Sequence, residues 1–266
     1  PGGQVESVHR EAAIQKPEDI DALLPQPTAA EKNGRLEEGQ GDLAARLLLE
    51  FGQDYFPLMH VAAPLWQSYS LWGFEGIMLK TASQSDLVRY ACQRLLEVAI
   101  GRIRTAATLG AAGIWIEDCM TDMIRPEAFA SFNVPYVRAM TDEIRAAGMK
   151  SIYYFCGNPR GKWEMILSLG ADALSFEESK KDFQINIDDV VEKVQGRCTV
   201  LGNLDAIGVL QDGSEEELIA EITRQIRAGH RNGNRFIMSL GSPVTPGTPV
   251  ERVRLYCDLV HQWSVG

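Results

Sequence analysis

Several features that define other protein classes are absent from this chain of 266 residues. No apolar run approaches the ~20 residues that a membrane-spanning helix needs, so we expect no contact with a membrane. The formal net charge is −10 and basic residues do not cluster, which argues against a nucleic acid partner. Neither GxGxxG nor a GxxxxGKS or GxxxxGKT motif occurs, so a dinucleotide or nucleoside triphosphate site is disfavoured.

Cysteine is also scarce, and its spacing is informative. The five cysteines are odd in number and contain no CxxC pair, which predicts free thiols and a reducing, cytoplasmic location. Cys92 and Cys257 fall within helical patterns, so we predict that both are small core residues. Cys119 and Cys156 each end an apolar run, and they are therefore the two thiols with a predicted chemical role.

The chain contains short apolar runs that alternate with helical patterns. We predict six strands, at 56–62, 113–119, 151–158, 173–178, 199–205 and 235–242. Strict alternation of strands and helices predicts a parallel sheet with right-handed crossovers. We expect a single domain over residues 1–266, in which 1–52 is irregular or helical and 53–266 forms six βα units. Six strands cannot close an eight-stranded barrel, so the first and last strands are predicted to be sheet edges.

Polar residues end each predicted strand from residue 113 onward. They are Glu117, Cys156, Glu177, Asn203 and Ser242. A TIM-type (β/α)8 barrel places its chemistry at the C-terminal ends of many strands, whereas an open sheet concentrates it at one switch point. The fold prediction is therefore α/β, with a TIM (β/α)8-type barrel.

The segment with the largest number of reactive side chains is the end of the predicted strand at 113–119. Glu117, Asp118 and Cys119 bring two carboxylates and a thiol to one strand end, although such acids also cap helices. His60 lies near the end of the first strand, where a lone histidine is more often structural than a ligand. Residues 64–80 are predicted to be an aromatic loop that either lines a flat ligand or serves as packing; Trp66 and Tyr69 are its candidate ligand contacts.

A series of ordered motifs resembles the uroporphyrinogen decarboxylase superfamily, which includes tetrapyrrole decarboxylases and cobalamin-dependent methyltransferases. The motifs are Gly113-Ile114-Trp115-Ile116-Glu117-Asp118, Pro126-Glu127, Phe129, Phe132, Pro135-Tyr136, Cys156-Gly157-Asn158, Gly170-Ala171-Asp172-Ala173, Gly202-Asn203-Leu204-Asp205 and Thr248-Pro249. The resemblance implies a distorted TIM barrel whose first two strands lie outside this chain, with the site at the C-terminal face.

The sequence departs from both branches of that superfamily. The usual Asp-Ser-Trp of the decarboxylases corresponds to Asp118-Cys119-Met120, and their histidine after Leu-Gly corresponds to Ser242. The resemblance places three zinc ligands of the methyltransferases at Tyr154, Cys156 and Ser242, so Cys156 alone is a typical ligand. Glu117 and His60 are chemically competent to complete a zinc site with Cys156. The motif sequences around Glu117 and Cys156 resemble those of the methyltransferases more than those of the decarboxylases.

The resemblance implies an enzyme that transfers a methyl group between a corrinoid and a small methylated compound or a thiol. Methylcobalamin, as a free corrinoid or on a corrinoid protein, would be the methyl carrier, and zinc would be a second cofactor. The sequence does not decide whether the protein forms a homodimer. The predicted catalytic residues are Glu117, Asp118, Tyr154 and Cys156. The predicted substrate contacts are Trp66, Tyr69, Cys119, Asn158, Glu177, Asn203, Asp205 and Ser242. The alternatives are tetrapyrrole decarboxylation, with Asp118 and Tyr69 on the substrate, and a non-catalytic binding protein.

Overall fold

A computed structural model of the protein describes residues 14–24, 26–36, 39–180 and 182–264. Six strands follow one another in the sheet in chain order. They are β1 (Leu58–Ala62), β2 (Gly113–Asp118), β3 (Lys150–Phe155), β4 (Ala173–Phe176), β5 (Thr199–Leu201) and β6 (Phe236–Ile237). The predicted α/β class with consecutive βα units is confirmed, and β1 and β6 are the two end strands of that order.

Helices occupy most of the remaining chain. In order they are α1 (Pro17–Leu23), α2 (Ala29–Lys32), α3 (Asp42–Phe51), α4 (Pro64–Gln67), α5 (Tyr69–Ser83), α6 (Ser85–Leu109), α7 (Pro126–Phe132), α8 (Val134–Ala146), α9 (Trp163–Leu167), α10 (Ile187–Val194), α11 (Glu215–Arg231) and α12 (Val250–Ser264), with a π-helix at Ala206–Gln211. None of the described helices combines the length and the hydropathy of a membrane-spanning segment.

The described residues divide into two compact units. The first unit runs to Ser151 and includes Glu164–Gly170, and the second comprises Ile152–Trp163 and the chain from Ala171 onward. The single domain predicted over residues 1–266 stays a prediction.

The first unit is built on the parallel pair β1 and β2. Leu58 lies opposite Gly113 and Ala62 lies opposite Glu117, so both strands end at the same level. Gly113 is required by packing, because a Cβ atom there would lie 2.8 Å from the carbonyl oxygen of Lys150. The long helix α6 precedes β2, and Gly110 ends it in a left-handed conformation.

The aromatic segment at 64–80 is helical, so its prediction as a loop is wrong. Helices α4 and α5 cover it, and Gly73 interrupts α5 with a φ of 68° and a ψ of 179°. Trp72 is fully buried and its indole N–H donates to the carbonyl oxygen of Ile14 at 3.1 Å, which makes it a core residue. Some of the aromatic side chains in this segment therefore serve the packing of the core, because burial of a large ring stabilises the fold substantially.

The second unit contains the rest of the parallel sheet. Tyr154 pairs with Ser175 between β3 and β4, and Val200 pairs with Phe236 between β5 and β6. Strand β6 is much shorter than the predicted range 235–242. Pairing continues beyond it through separate hydrogen bonds, such as the one from Leu204 N to Ser239 O at 3.1 Å. The backbone after β6 is therefore extended but irregular, and this irregular part carries Ser242.

The last helices enclose a small apolar core and correct one cysteine prediction. A capping box starts α11, because Ser214 Oγ accepts from Glu217 N and Glu217 Oε2 accepts from Ser214 N. Leu204 is fully buried in the core cluster between these helices. Cys92 is buried as predicted, but Cys257 is exposed on α12, so its assignment to the core was wrong.

Candidate active site

Glu117, at the end of β2, is the centre of a hydrogen-bonded group in the first unit. His60 Nε2 lies 3.0 Å from Glu117 Oε2, and the Trp66 indole N–H donates to the same oxygen at 3.3 Å. The Cys119 thiol donates to Glu117 Oε1 at 3.7 Å. The carboxylate side chain keeps 30% of its surface exposed and His60 keeps 56%, so solvent and small molecules have access to both.

Trp66 also joins this group to a flat aromatic surface. Its ring stacks on Tyr69 with centroids 5.6 Å apart and planes inclined by 28°. An apolar cleft beside the pair is lined by Met78, Cys119 and Met120. The structure therefore brings Trp66, Tyr69, Cys119, His60 and Glu117 together, and the proximity of His60 is what gives this lone histidine a candidate role.

Asp118 points into the protein, behind the strand end. It is fully buried and accepts a hydrogen bond of 2.6 Å from Asn133 Nδ2, at the junction of α7 and α8. Burial, and then the charge of Asp118, raise the pKa of the neighbouring Cys92 thiol well above its usual range. Burial and the Cys92 thiol raise the pKa of Tyr136, while Arg89 opposes this. The described contacts of Asp118 thus tie β2 to a helix junction, and its catalytic role stays a prediction.

Asn133 is a site residue that the sequence reasoning missed. It lies between two motif residues, Phe132 and Pro135, in the segment that breaks the helical pattern. An asparagine at a helix junction is an ordinary end signal. Its long-range partner could not be read from the chain, because the two residues are fifteen positions apart.

The second unit contains a charged group that joins the end of β4 to the segment after β6. Ser242 Oγ donates to the Glu178 carboxylate, at 2.7 Å from Oε2. Lys180 Nζ donates to Glu178 and lies 3.2 Å from Ser242 Oγ. Burial lowers the pKa of Lys180, but Glu178, Glu177 and Asp205 together raise it above its usual value. Lys180 therefore stays an ammonium at neutral pH, and neither Glu178 nor Lys180 was predicted as a site residue.

Tyr154 and the turn after β3 contact the same part of the second unit. The Tyr154 hydroxyl donates to the carbonyl oxygen of Gly241 at 3.2 Å. The Gly157 N–H donates to Glu177 Oε2 at 2.9 Å, while Glu177 Oε1 lies 3.9 Å from Lys180 Nζ. Glu177 thus connects the turn that follows Cys156 to the lysine. Cys156 is half-buried, so its thiol has partial access to solvent.

The three remaining predicted contacts in this unit organise the backbone. The Asn203 amide donates to the carbonyl oxygens of Glu177 and Ile185, at 3.1 and 2.8 Å. Asp205 Oδ1 accepts from Ile207 N and Gly208 N, at 2.9 and 2.8 Å, and so caps the π-helix. Asn158 Oδ1 accepts from Arg160 N at 3.0 Å. These side chains shape the loops, and their contact with a substrate stays a prediction.

The described residues do not fit the expected zinc site. Within them, no three histidine, cysteine, aspartate or glutamate side chains form a group that could hold a metal ion. His60 and Glu117 supply two donors in mutual contact. A catalytic zinc site has three protein ligands, so this pair is one short. The prediction that Cys156 completes such a site stays untested.

The fold and the polar strand ends define the class of protein as an α/β chain of the TIM-barrel type. The chain belongs to the uroporphyrinogen decarboxylase (URO-D) family, whose profile matches residues 5–263. Membership of this family confirms the resemblance that the motifs indicated.

Curated relatives and a solved structure support the same assignment. The chain is 26% identical over 182 residues to uroporphyrinogen decarboxylase from Solibacter usitatus, covering 68% of this chain and 50% of the relative. It is 28% identical over 155 residues to the Thermodesulfovibrio yellowstonii enzyme, covering 58% and 42%. The chain thus spans about half the length of these relatives. A methyltransferase from Methanosarcina mazei has the same fold, with a TM-score of 0.72, 19% identity and coverage of 83% of this chain and 62% of that one.

Proposed function

We propose that the protein transfers a methyl group between a corrinoid and a small methylated compound or a thiol. Family membership and the fold shared with a methyltransferase support this proposal. The sequences of the motifs around Glu117 and Cys156 support the proposal further, because they resemble those of the methyltransferase branch.

The charges at the strand ends of the second unit are the observation that favours methyl transfer over decarboxylation. Three carboxylates, Glu177, Glu178 and Asp205, act on one ammonium group, that of Lys180. Lys180 is already bound by Glu178 and lies 3.9 Å from Glu177. A polycarboxylate such as uroporphyrinogen requires unpaired cations, because like charges at close range are strongly unfavourable. The acidic group disfavours the carboxylates of uroporphyrinogen beside it, which supports methyl transfer over decarboxylation.

Glu117 and His60 are suited to proton handling in the proposed reaction. A thiol acceptor must lose its proton before its sulfur can form a bond to the methyl carbon, since the thiolate is the nucleophile. The partly exposed Glu117 carboxylate, paired with the His60 imidazole, can accept that proton. The bonding electron pair of the departing methyl group stays with its former carrier, so charge is conserved.

The stacked pair of Trp66 and Tyr69 fits a flat macrocycle beside Glu117. When bound there, a corrinoid would supply a methyl group held on cobalt. The Trp66 indole would keep the Glu117 carboxylate oriented while both rings exclude water from one side of it. No step is assigned to zinc, because the described donors do not make a site for it.

The test is demethylation of methylcobalamin by the purified protein with an alkyl thiol, followed by the visible spectrum of the corrinoid. We expect turnover by the parent protein and its loss in Cys156→Ser, because the resemblance to the methyltransferases makes Cys156 the one typical metal ligand that remains in this sequence. Cys257→Ser is the matched control, since Cys257 is exposed on α12, and it should retain full activity. Addition of zinc or a chelator then shows whether metal takes part.

Decarboxylation is the second candidate, because the curated relatives named above are uroporphyrinogen decarboxylases. In this alternative, Asp118 and Tyr69 would contact the substrate. Uroporphyrinogen incubated in parallel should keep its carboxylates if methyl transfer is correct. Loss of its carboxylates with methylcobalamin intact would overturn the methyl-transfer proposal, and inertness toward both would favour a binding protein.

A further inference from the structure

A cavity of about 460 Å³ lies within the second unit, between the loop after β3, the segment after β4 and helix α10. This volume is within the range of about 300–1,000 Å³ typical of small-molecule sites. Asn158 belongs to its lining and has a predicted substrate contact. The other lining residues have no assigned role, so the cavity needs its own explanation.

One wall of the cavity is an aromatic ring held in a fixed orientation. The Trp163 ring packs on fully buried Phe176, with centroids 5.0 Å apart and planes inclined by 46°. Lys193 Nζ lies 5.6 Å from the centroid of the Trp163 ring. A flat ligand that enters the cavity therefore meets a ring whose position is set by the core, together with an ammonium group.

Phe183 and Ile185, which also line the cavity, are held by hydrogen bonds. The carbonyl oxygen of Phe183 accepts from Lys180 N at 3.0 Å, and Ile185 N donates to Ser179 Oγ at 3.0 Å. The Ile185 carbonyl oxygen accepts from the buried Asn203 amide at 2.8 Å. A preformed wall lowers the entropy cost of binding, so Phe183 and Trp163 are suited to enclose a planar group.

The charges in the lining discriminate between classes of ligand. Arg160 lines the cavity and is exposed, and guanidinium groups bind carboxylates through two parallel bonds. Lys193 is next to the aromatic wall, so a cationic ligand stacked on Trp163 would meet a like charge. Exposed Asp182 and Asp189 also line the cavity, and they oppose anions of high charge.

We propose that this cavity binds a planar aromatic monoanion. Its ring lies between Trp163 and Phe183, and its carboxylate-like group contacts Arg160 and Lys193. Glu178 and Ser242 do not belong to the lining of the cavity, and the proposed binding does not depend on whether the protein transfers methyl groups.

Calorimetric titration with three ligands of one ring size tests this proposal: naphthoate, neutral naphthylmethanol and cationic naphthylmethylammonium. Naphthoate should bind at least about tenfold more tightly than the cation, because its carboxylate is placed against Arg160 and Lys193; repulsion from Asp182 and Asp189 reduces this preference without reversing it. Equal affinities for the three ligands, tighter binding of the cation, or absence of binding would each overturn the proposal.

Charge variants locate the bound anion. Arg160→Gln and Lys193→Gln should each weaken naphthoate binding by about three- to tenfold, the range expected for a partly exposed charged contact. Asp189→Asn should tighten it, because a repulsive charge is removed. Arg227→Gln is the matched control, exposed on α11 and outside the cavity lining, and should bind as the parent does. Unchanged affinity in both Arg160→Gln and Lys193→Gln would place the ligand elsewhere and refute the assignment.

Discussion

The two groups of polar residues at the strand ends differ in how they hold their carboxylates. In the first unit, Glu117 is half-exposed and its contacts come from His60, Trp66 and a thiol. In the second unit, Glu178 is buried and is bound by Lys180 and Ser242. A buried carboxylate that loses its cation is costly, whereas an exposed one is hydrated. We infer that the Glu117 group is free to act in chemistry, whereas the Glu178 group holds the structure together and affects a substrate only through its charge.

The largest effect should come from Glu117→Gln, which keeps the shape of the side chain and removes its charge. Methylcobalamin demethylation should fall by about 100-fold, the size expected for loss of a general base. The free energy of unfolding should change by less than about 1 kcal/mol, because the side chain is partly exposed.

Glu127→Gln is the control for that change, since Glu127 is exposed in the first turn of α7 and lies outside the Glu117 group. If Glu117→Gln keeps full activity, or if it unfolds the protein, the contrast between a chemical and a structural carboxylate disappears.

Glu178→Ala should lower the free energy of unfolding by about 2 kcal/mol, because it leaves Ser242 and Lys180 without their shared acceptor. The value is below that of a fully buried pair because 39% of the Lys180 side chain is exposed. Urea denaturation measures it, with exposed Glu192→Ala on α10 as the control. An unchanged unfolding midpoint would show that the Glu178 group contributes no stability.

Asp188 provides a second test of the contrast between chemical and structural carboxylates. It belongs to the second unit and accepts hydrogen bonds from two arginines. Burial raises its pKa, but hydrogen bonds from Arg231 and Arg224 outweigh burial and lower the pKa below its usual value. A depressed pKa contributes stability above the unfolded value of about 4, and that stability is lost as pH falls through the folded value.

Asp188→Asn should therefore cost about 1 kcal/mol near pH 7 and nothing near pH 2, since the charged pair is partly exposed and absent in acid. Denaturation across this pH range, with exposed Asp258→Asn as the control, provides the measurement. A pH-independent difference between variant and parent would mean that the charge is not the cause.

The smallest effect is expected from Trp66→Phe, which removes the indole N–H but keeps an aromatic ring against Tyr69. Demethylation should fall by about threefold, the contribution of one hydrogen bond to a half-exposed acceptor. Trp66→Ala should cost more, because it also removes the stacked surface. Equal rates for the two variants would show that the ring has no part in the reaction.

Much of the fold could be predicted because its signals are local. The start of α11 follows from Ser214 and Glu217, which satisfy each other across three residues. Helix α6 ends at Gly110 because glycine adopts the left-handed conformation without strain. The aromatic segment was misread because its composition suggested a ligand surface. Trp72 shows why composition fails there, since its burial depends on Ile14, far away in the chain.

The candidate site was predicted in outline, as polar residues at strand ends, but not in its connections. Ser242 was identified as a departure from the family pattern, and the structure shows what it contacts: Glu178 and Lys180, 64 and 62 positions away. Neither partner carried a signal in the sequence, because a charged residue after a strand is common on any loop. Asn133 was missed because an asparagine at a helix junction is an ordinary end signal.

The sequence by itself determined the order of strands and helices, because hydrophobic period, caps and glycine act within a few residues of chain. It also determined the family, because its motifs occur in the same order as in that family. The tertiary structure alone decided which acid is exposed beside a histidine and which is buried beside a lysine. Adjacent strand-end residues such as Glu117 and Asp118 point to opposite sides, so one lies in the open and the other packs inside. Their surroundings come from residues that are distant in the chain and become neighbours only on folding.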